Sequence, residues 1–555
     1  MVDILKSFYL ADWYVDTATN RLCRADIEVK LESKVMAVLH YLAQHKGELV
    51  TREALEQAIW SNSVVGYDAL TSCIAKLRKV LEDDPRQPRY IETISKKGYR
   101  LIGEISSTAP KAKTSAVPTT DGFAWRTLGW GTGASLLLLG LILITVLYLL
   151  VINGDKALET QARNLPSIVV LPFANLSDES EHDYFSDGIT VDITTALSKL
   201  SGLFVISPSS ASGYRETPVN IKQVAGSLGV RYVVEGSVRR TGDRLRVNIH
   251  LVDANSDIYL WSEKYDRELQ NVFAVQDDIT TNIINALSVK LTEEEKRRTA
   301  RRYTSSIASY DDFLRGQALY INHTERDNHQ ARDYYQQAID RDEAFARAYS
   351  SLALTYVAEH RYGWSQSSPL QLDRALTLAE KGVALDRELP QSYWVLGYVH
   401  LFRREYREAA AAANRAIELN PNFADSYITL AVCKMYFGAA EESLHLVRKA
   451  MLLNPKYPAA YVSVLGQIYF FMGKYELAES ALREAVARNM HLRTPHVFLI
   501  VALSKLNQLD EANWAAEQFK TIAPDFNHNK VAGMLPLQDT DIVEDMKKHL
   551  QRVGL

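Results

Sequence analysis

A 34-residue period in the C-terminal part of the chain constrains the fold more than any other feature. Tyr393, Tyr427 and Tyr461 recur at this spacing, and Asn420 and Asn454, each followed by Pro, repeat it. Such a period predicts pairs of amphipathic helices that stack on one another, because one pair cannot bury its apolar face alone. We therefore expect an α-solenoid of five or six repeats over residues 308–525, with an insertion around 363–372 and a tail over 526–555.

The period, the paired helices and the prolines at the junctions resemble tetratricopeptide repeats. The resemblance implies a solenoid with a concave surface for a partner. That partner is open among a peptide, a small-molecule signal and the neighbouring domain of the same chain.

A stretch of 26 residues at 127–152 contains no charged residue and no histidine. As a helix it would rise about 39 Å, enough to cross a hydrocarbon core of roughly 30 Å. Trp125, Trp130 and Tyr148 stand near its ends, where aromatic side chains favour the membrane interface. The sequence predicts one transmembrane helix, preceded over 106–126 by a flexible linker rich in Ser, Thr, Ala and Pro.

The N-terminal 105 residues combine short strand patterns with three helical patterns. The third helix begins at Asp68, and two strand-like segments follow it, joined by Ser95, Lys96 and Lys97. Residues 1–105 are neutral, with fifteen basic and fifteen acidic residues, but 74–100 holds eight basic residues against four acidic ones. A winged helix-turn-helix with its positive charge concentrated on one element is predicted, as a phosphate-facing surface requires.

Trp60, the run LRKVLEDD and the segment YIETISKKGYRLIGEI resemble the OmpR/PhoB-type winged-helix DNA-binding domain. The resemblance implies a recognition helix and a wing that bind double-stranded DNA. The base-facing positions that it implies are Ala69, Ser72, Cys73 and Lys76. The positions at or near the DNA backbone, together with the other basic residues of the wing, are Arg78, Lys79, Thr93, Lys96, Lys97 and Arg100.

Some of these residues have a simpler alternative role. Lys76 and Lys79 would equally serve to solvate an exposed helix face, and Arg100 would equally pair with Glu92. Cys73 and Ala75 stand where members of this family often carry polar groups, so we expect few base contacts. Because the chain starts at the first strand of the winged helix, we do not expect control by a phosphorylated receiver domain.

Residues 165–291 alternate strand and helix patterns. The motifs VVLPFANLS, FSDGIT and LVDANSDIYLWSEKYDR resemble the TolB-N-terminal-like α/β domain. The resemblance implies a mixed α/β domain of a kind found in membrane-linked regulators. Asp187, Asp192, Asp277 and Asp278 are expected near turns and helix starts, where Asp caps backbone amides, so we do not expect them to be catalytic.

Cysteine and histidine spacing gives no sign of catalysis or metal binding. The three cysteines, Cys23, Cys73 and Cys433, are widely scattered, which argues against a disulfide framework. The histidines show no ligand spacing. We therefore expect no catalytic, cofactor-binding or metal-binding residues, and a protein that is not an enzyme.

Taken in order, the predicted fold is multidomain α+β: winged helix, one transmembrane helix, mixed α/β TolB-like domain, tetratricopeptide solenoid. This order resembles a ToxR/CadC-type membrane-bound transcriptional regulator. The resemblance implies a one-component signal-transduction protein of the bacterial inner membrane, with a cytoplasmic DNA-binding N-terminus and a periplasmic sensing region. Self-association is expected. The alternative is a membrane-tethered repeat scaffold whose winged helix binds protein rather than DNA.

Overall fold

A computed structural model describes residues 7–17, 19–24, 27–60, 68–81, 83, 88–94, 98–106, 165–177, 183–215, 220–299, 302–364, 368–534 and 539–555. The chain divides into two compact units, Met1–Gly129 and Trp130–Leu555. We refer to them as the N-terminal unit and the C-terminal unit and describe each by itself.

The N-terminal unit is a winged helix. Its helices are α1 Ser33–Gln44, α2 Arg52–Trp60 and α3 Asp68–Leu81. Its strands are β1 Ser7–Leu10, β2 Trp13–Asp16, β3 Arg21–Arg24, β4 Ile27–Lys30, β5 Val50–Thr51, β6 Ile91–Ile94, β7 Gly98–Leu101 and β8 Ile105–Ser106. One sheet has the order β4-β3-β2-β1-β8 and the other the order β5-β7-β6. The winged-helix prediction is confirmed.

The C-terminal unit begins with an α/β domain. Its strands are β9 Ser167–Val170, β10 Ala174–Asn175, β11 Phe204–Val205, β12 Tyr232–Thr241, β13 Arg244–Asp253 and β14 Ile258–Glu268. Its helices are α4 Asp183–Ser198, α5 Pro208–Ala211, α6 Ile221–Leu228, α7 Val272–Ala286 and α8 Glu293–Thr299. The sheet order is β11-β9-β12-β13-β14, with β10 also paired to β12. Strands β11, β9 and β12 run parallel, and β12, β13 and β14 form an antiparallel meander.

Six helix pairs follow in the described residues, which confirms the predicted helical solenoid. Their bounds are α9 Ile307–Tyr320, α10 Glu325–Arg341, α11 Ala346–Tyr362, α12 Ser368–Leu385, α13 Pro390–Phe402, α14 Tyr406–Leu419, α15 Ala424–Tyr436, α16 Ala440–Leu453, α17 Ala459–Phe471, α18 Tyr475–Arg488, α19 Arg493–Lys505 and α20 Leu509–Ile522. Two further helices, α21 Val531–Met534 and α22 Thr540–Gln551, follow, and α22 packs on α19. The region predicted as a tail therefore contains helical structure.

The predicted fold class is wrong in its transmembrane element. Across the part of the chain that the structure describes, no helix combines the length and the apolar character needed to cross a bilayer. The longest helix described, α12, has 18 residues and carries the charged residues Asp373, Arg374, Glu380 and Lys381. Such a helix rises only about 27 Å and is amphipathic. Residues 127–152, on which the prediction rested, lie outside the described residues.

Both faces of the α/β sheet share their apolar core with the solenoid. Ile168 and Val170 of β9 belong to a core that includes α4, α7 and the solenoid helix α9, whereas Val169 belongs to one that includes α6, α15 and α16. Alternate residues of a strand point to opposite faces, so the solenoid completes the core on both sides of the sheet. The α/β domain and the solenoid therefore form one folded body within the C-terminal unit.

Three asparagines at the turns between repeats fix this junction. We call Asn420, Asn422 and Asn454 the Asn row. The Asn422 Nδ2 atom lies 2.9, 3.2 and 2.9 Å from the carbonyl oxygens of residues 198, 200 and 203, and its Oδ1 accepts from the backbone N–H of Val205 at 3.2 Å. Asn420 donates to the Ser198 hydroxyl at 2.8 Å, and Asn454 accepts from the hydroxyls of residues 209 and 210. Asn422 thus supplies partners to buried backbone groups, whereas Asn420 and Asn454 bond serine hydroxyls of the α/β domain.

A buried ion pair lies at the other end of the junction. Arg347 of α11 donates to Asp192 of α4 at 2.7 Å, and both side chains are only 5% exposed. The Tyr310 hydroxyl donates to the second carboxylate oxygen at 2.6 Å, and burial together with this carboxylate raises the pKa of Tyr310 well above its usual value. Because Arg347 and Tyr310 are buried with the carboxylate, removal of Arg347 would leave an uncompensated charge. Asp192 therefore holds the two domains together.

We predict that Asn422→Ala lowers the free energy of unfolding of the C-terminal unit by about 3 kcal/mol, because three carbonyls and one N–H lose a buried partner. Denaturant unfolding followed by tryptophan fluorescence measures this change. Asn414→Ala on α14, where the side chain is exposed, is the matched control and should have almost no effect. Equal stability of the two variants would contradict the role assigned to Asn422.

Candidate nucleic-acid interface

Helix α3 is amphipathic, and its buried stripe sets which side chains can reach outward. Leu70, Ile74, Leu77 and Leu81 are buried in the core of the N-terminal unit. Cys73 is also in this core and is 7% exposed; burial raises the pKa of its thiol. The buried stripe leaves Lys76 on the outer side of the helix. The Cys73 side chain belongs to the core and is not part of that outer side.

The Lys76 amine is exposed and carries one ion pair. Its side chain is 48% exposed, and its Nζ donates to Glu32 Oε1 at 2.7 Å, just before the start of α1. This hydrogen bond raises the pKa of Lys76, so the amine stays protonated. A surface pair of this kind is weak and easily exchanged. Lys76 is therefore available to another anion that can displace Glu32.

Arg78 and Thr93, both predicted near the DNA backbone, contact each other instead. Arg78 Nη2 donates to Thr93 Oγ1 at 2.7 Å and to the carbonyl oxygen of Ile91 at 2.9 Å. These bonds join α3 to β6, the first strand of the wing. Arg100 of β7 pairs with Glu92 at 3.4 Å, which is the alternative that the sequence left open. Arg78 thus sets the angle between the recognition helix and the wing.

The remaining predicted residues are placed only in part. Ala69, Ser72 and Lys79 lie on α3, at helical spacing from Lys76, but their side chains are outside the described residues. Lys96 and Lys97 are also outside them. The strands that flank Lys96 and Lys97, β6 and β7, pair in antiparallel register from Ile91 with Leu101 to Ile94 with Gly98. The chain segment that carries the two lysines therefore connects the two wing strands.

Gly98 allows β7 of the wing to pair with β5, the short strand between α1 and α2. Its φ of +147° is a conformation that side chains rarely adopt, and a Cβ there would lie 2.0 Å from the carbonyl oxygen of Val50. Strand β7 could not approach β5 with any other residue at this position. The glycine of the Gly-Tyr-Arg motif is therefore a requirement of backbone packing.

Asp83 is a residue of this site that the sequence did not single out. Its buried carboxylate accepts from the backbone N–H groups of Arg89, Tyr90 and Ile91 at 2.6, 3.0 and 2.8 Å. Three such bonds to one charged acceptor are strong. They fix the start of the wing just after the recognition helix. The signal was the acidic pair that ends the run LRKVLEDD, which entered the prediction only as part of the family resemblance and of the charge count.

We predict that Asp83→Ala lowers the free energy of unfolding of the N-terminal unit by about 3 kcal/mol, since three N–H groups lose a charged acceptor. Hydrogen exchange of the full chain should show faster exchange at residues 89–91. Glu48→Ala, at an exposed site of the same unit, is the control. Unchanged exchange at 89–91 in Asp83→Ala would show that the carboxylate does not hold the wing.

Three segments of the chain match known protein families. Residues 26–101 match the family described as "Transcriptional regulatory protein, C terminal". Residues 163–282 match "HilA/YgeH-like transcriptional regulator, second domain", and residues 390–423 and 460–489 match "Tetratricopeptide repeat". The name TolB-like, predicted for the α/β domain, finds no support in these matches.

Relatives of this chain include regulators of transcription. It is 33% identical to the transcriptional activator CadC of Escherichia coli over 20% of this chain and 24% of the relative. It is 22% identical to the transcriptional regulator HilA of Salmonella typhimurium over 73% of this chain and 63% of the relative. It is also 39% identical to a Rhizobium meliloti protein named "Putative adenylate cyclase 3", over 44% of this chain and 42% of the relative.

The chain spans less than two thirds of the length of each of these relatives. Within that limit, the resemblance to ToxR/CadC-type regulators is confirmed by the winged-helix match, the CadC and HilA relatives and the repeats. The relatives named as regulators of transcription agree with a role that is not enzymatic. The Rhizobium meliloti relative, in contrast, carries the name of an enzyme.

Proposed function

We propose that this chain regulates transcription by binding double-stranded promoter DNA through the outer face of α3 and the wing. The observation that carries the proposal is Lys76, an exposed and protonated amine on the recognition helix of a winged helix. The buried stripe of α3 faces the core, so the lysine face is the one free to enter a groove. The match of residues 26–101 to regulatory C-terminal domains supports the same conclusion.

Control is assigned to the C-terminal unit. Its α/β domain and solenoid share two apolar cores, so a signal received by either would be transmitted by the body as a whole. Because residues 1–105 carry equal numbers of acidic and basic residues, one copy binds DNA weakly. Two copies held close together would bind more tightly through effective concentration. A signal that changes the pairing of copies therefore changes promoter occupancy, without any catalysis by the chain.

We predict that replacing both Lys76 and Lys97 with Ala weakens promoter binding by about 30-fold and lowers the salt slope of the binding constant by about two. The reason is the loss of two cations from the DNA surface. Fluorescence anisotropy over a salt series measures both quantities.

Lys46→Ala is the control for this variant, since Lys46 is an exposed lysine at the far end of α1. It should leave the salt slope unchanged. Equal binding by the double variant and the wild type would remove this surface from the proposal. Binding of a protein partner with no dependence on salt would instead favour the scaffold whose winged helix binds protein.

We further propose attachment to the bacterial inner membrane, with the N-terminus in the cytoplasm and the C-terminal unit in the periplasm. The proposal rests on the uncharged composition of residues 127–152. No described helix or strand is proposed to lie in the membrane. Resistance of the protein to alkaline extraction from membranes tests the attachment. Cleavage by a protease added on the periplasmic side tests the orientation. Recovery of the full chain in the supernatant would exclude it.

A further inference from the structure

We infer that the end of the α/β sheet at which β14 begins rests on the surface of a lipid bilayer. We call Ile258, Tyr259 and Leu260 the apolar tip. The inference rests on the membrane attachment proposed above and deepens it, because it names the part of the C-terminal unit that faces the lipid. It is carried by the exposure of the tip, by the place where the chain enters the sheet, and by the charges beside the tip.

The apolar tip is an exposed run of large apolar side chains. Ile258, Tyr259 and Leu260 are 57, 57 and 42% exposed, and among the exposed large apolar residues in the described part of the chain they alone are consecutive. A bulge produces the run, because the register shifts between Leu251 and Val252 and leaves Leu260 without a partner on β13. The bulge interrupts the alternation of inward and outward side chains. It also protects this edge against the addition of another strand, so the tip suits a surface rather than a strand.

The apolar tip lies at the end of the sheet where the chain enters the C-terminal fold. Ser167 begins β9, and its carbonyl oxygen accepts from the N–H of Arg231. The carbonyl oxygen of Arg231 accepts in turn from the N–H of Ala254, and Asp253 pairs with Ile258 in the register of β13 and β14. With neighbouring strands about 4.8 Å apart, Ser167 lies roughly 15 Å from Ile258. The tip is therefore beside the point at which the first strand begins.

The sequence before β9 identifies the occupant of this surface. Residues 127–152 carry no charge, and twelve residues, 153–164, separate them from Leu165. Twelve residues span at most about 40 Å, so a bilayer that holds 127–152 lies within that distance of the start of the sheet. Tyrosine and tryptophan favour the interface between lipid and water, and Tyr259 and Trp261 stand in the tip and next to it. A lipid surface thus fits both the position and the chemistry of the tip.

The charged groups beside the apolar tip are compatible with lipid headgroups. The carboxylate of Asp253 pairs with Arg231 at 2.7 Å, and that of Asp257 pairs with Lys222 at 3.5 Å. More than half of each cationic side chain is exposed, so their remaining N–H groups are available to lipid phosphates. Anionic lipids attract exposed cations near the surface. The tip therefore combines apolar side chains with two accessible cations, as elements that lie on a membrane do.

Contact at this end of the sheet would orient the whole C-terminal unit. The support behind the tip is firm, because Trp261 packs against the core and Tyr265 of β14 is bonded to Asn282 of α7 at 3.0 Å. The α/β domain and the solenoid share two apolar cores, so a sheet held against lipid holds the solenoid with it. The tip would thus restrict the orientations that the C-terminal unit takes on the membrane.

The test is the depth of a fluorescent probe at the apolar tip of the full chain, reconstituted into vesicles of phosphatidylethanolamine and phosphatidylglycerol. Ile258→Cys is labelled with an environment-sensitive maleimide dye, and lipids with a nitroxide on the acyl chain are the quencher. Because apolar groups at a membrane surface lie about 5–10 Å below the headgroups, we expect the probe at 258 to lose most of its fluorescence. The chain without an added cysteine gives the background from the three native cysteines.

Leu176→Cys is the matched control. Leu176 is 45% exposed, and its N–H donates to the carbonyl oxygen of Val238, towards the opposite end of the same sheet. Its probe should keep its fluorescence. Equal quenching at the two positions, or no quenching at 258 in chains that float with the vesicles, would overturn the inference and leave the membrane attachment standing. A full chain that does not float with the vesicles would overturn both.

Two further variants complete the test. Tyr259→Cys gives a second reading of the same surface if Ile258→Cys fails to fold, and its probe should be quenched likewise; an unquenched probe there would overturn the inference. Tyr259→Asp should bind promoter DNA like the wild type, because the tip lies outside the winged helix. Failure of the wild type to bind DNA would overturn the proposed regulation of transcription, whereas quenching at 258 would still support the contact with lipid.

Discussion

The Asn row is the constraint on which the architecture of the C-terminal unit depends. Asn420, Asn422 and Asn454 stand at turns that join one repeat to the next, and their amides bond the loops and the edge strand of the α/β domain. Such turns recur at a fixed rise along a solenoid. The spacing of the repeats therefore sets the positions at which the α/β domain is held. The domain contacts the solenoid where the turns between repeats lie.

This arrangement determines which parts of the C-terminal unit remain available to partners. The solenoid closes β11 and completes the core on both sides of the sheet around β9, whereas β13 alternates buried and more exposed residues and β14 is mostly exposed. Strand β14 is left as the long open edge. The buried Asp192–Arg347 pair adds a strong penalty for separating the domains, since each charge would lose its partner in an apolar surrounding. Separation of the two domains is therefore disfavoured.

Sequence periodicity predicted the solenoid and the winged helix but not the contacts between their elements. The 34-residue period predicted the helix pairs, and the basic helix with its hairpin predicted the winged helix. The Asn-Pro pairs were interpreted only as turns, because their partners lie more than 200 residues away. Likewise, Asp192 was interpreted as a capping residue, whereas it is an interdomain ion-pair partner. Contacts at such separation leave no local pattern in one sequence.

On α3 and the wing, the predicted DNA contacts stay predictions, and the structure shows that fewer of these side chains are free than the sequence suggested. Cys73 falls within the same helical stripe as Leu70 and Leu77, and Arg78 and Thr93 satisfy each other. Of the basic residues on α3 and the wing strands with described side chains, Arg78 bonds the helix to the wing and Arg100 pairs within the wing. Lys76 instead pairs with Glu32 on the surface. A neutral domain with so few free cations gains little affinity per copy. Under the proposed function, occupancy of a promoter then depends chiefly on how many copies are held together.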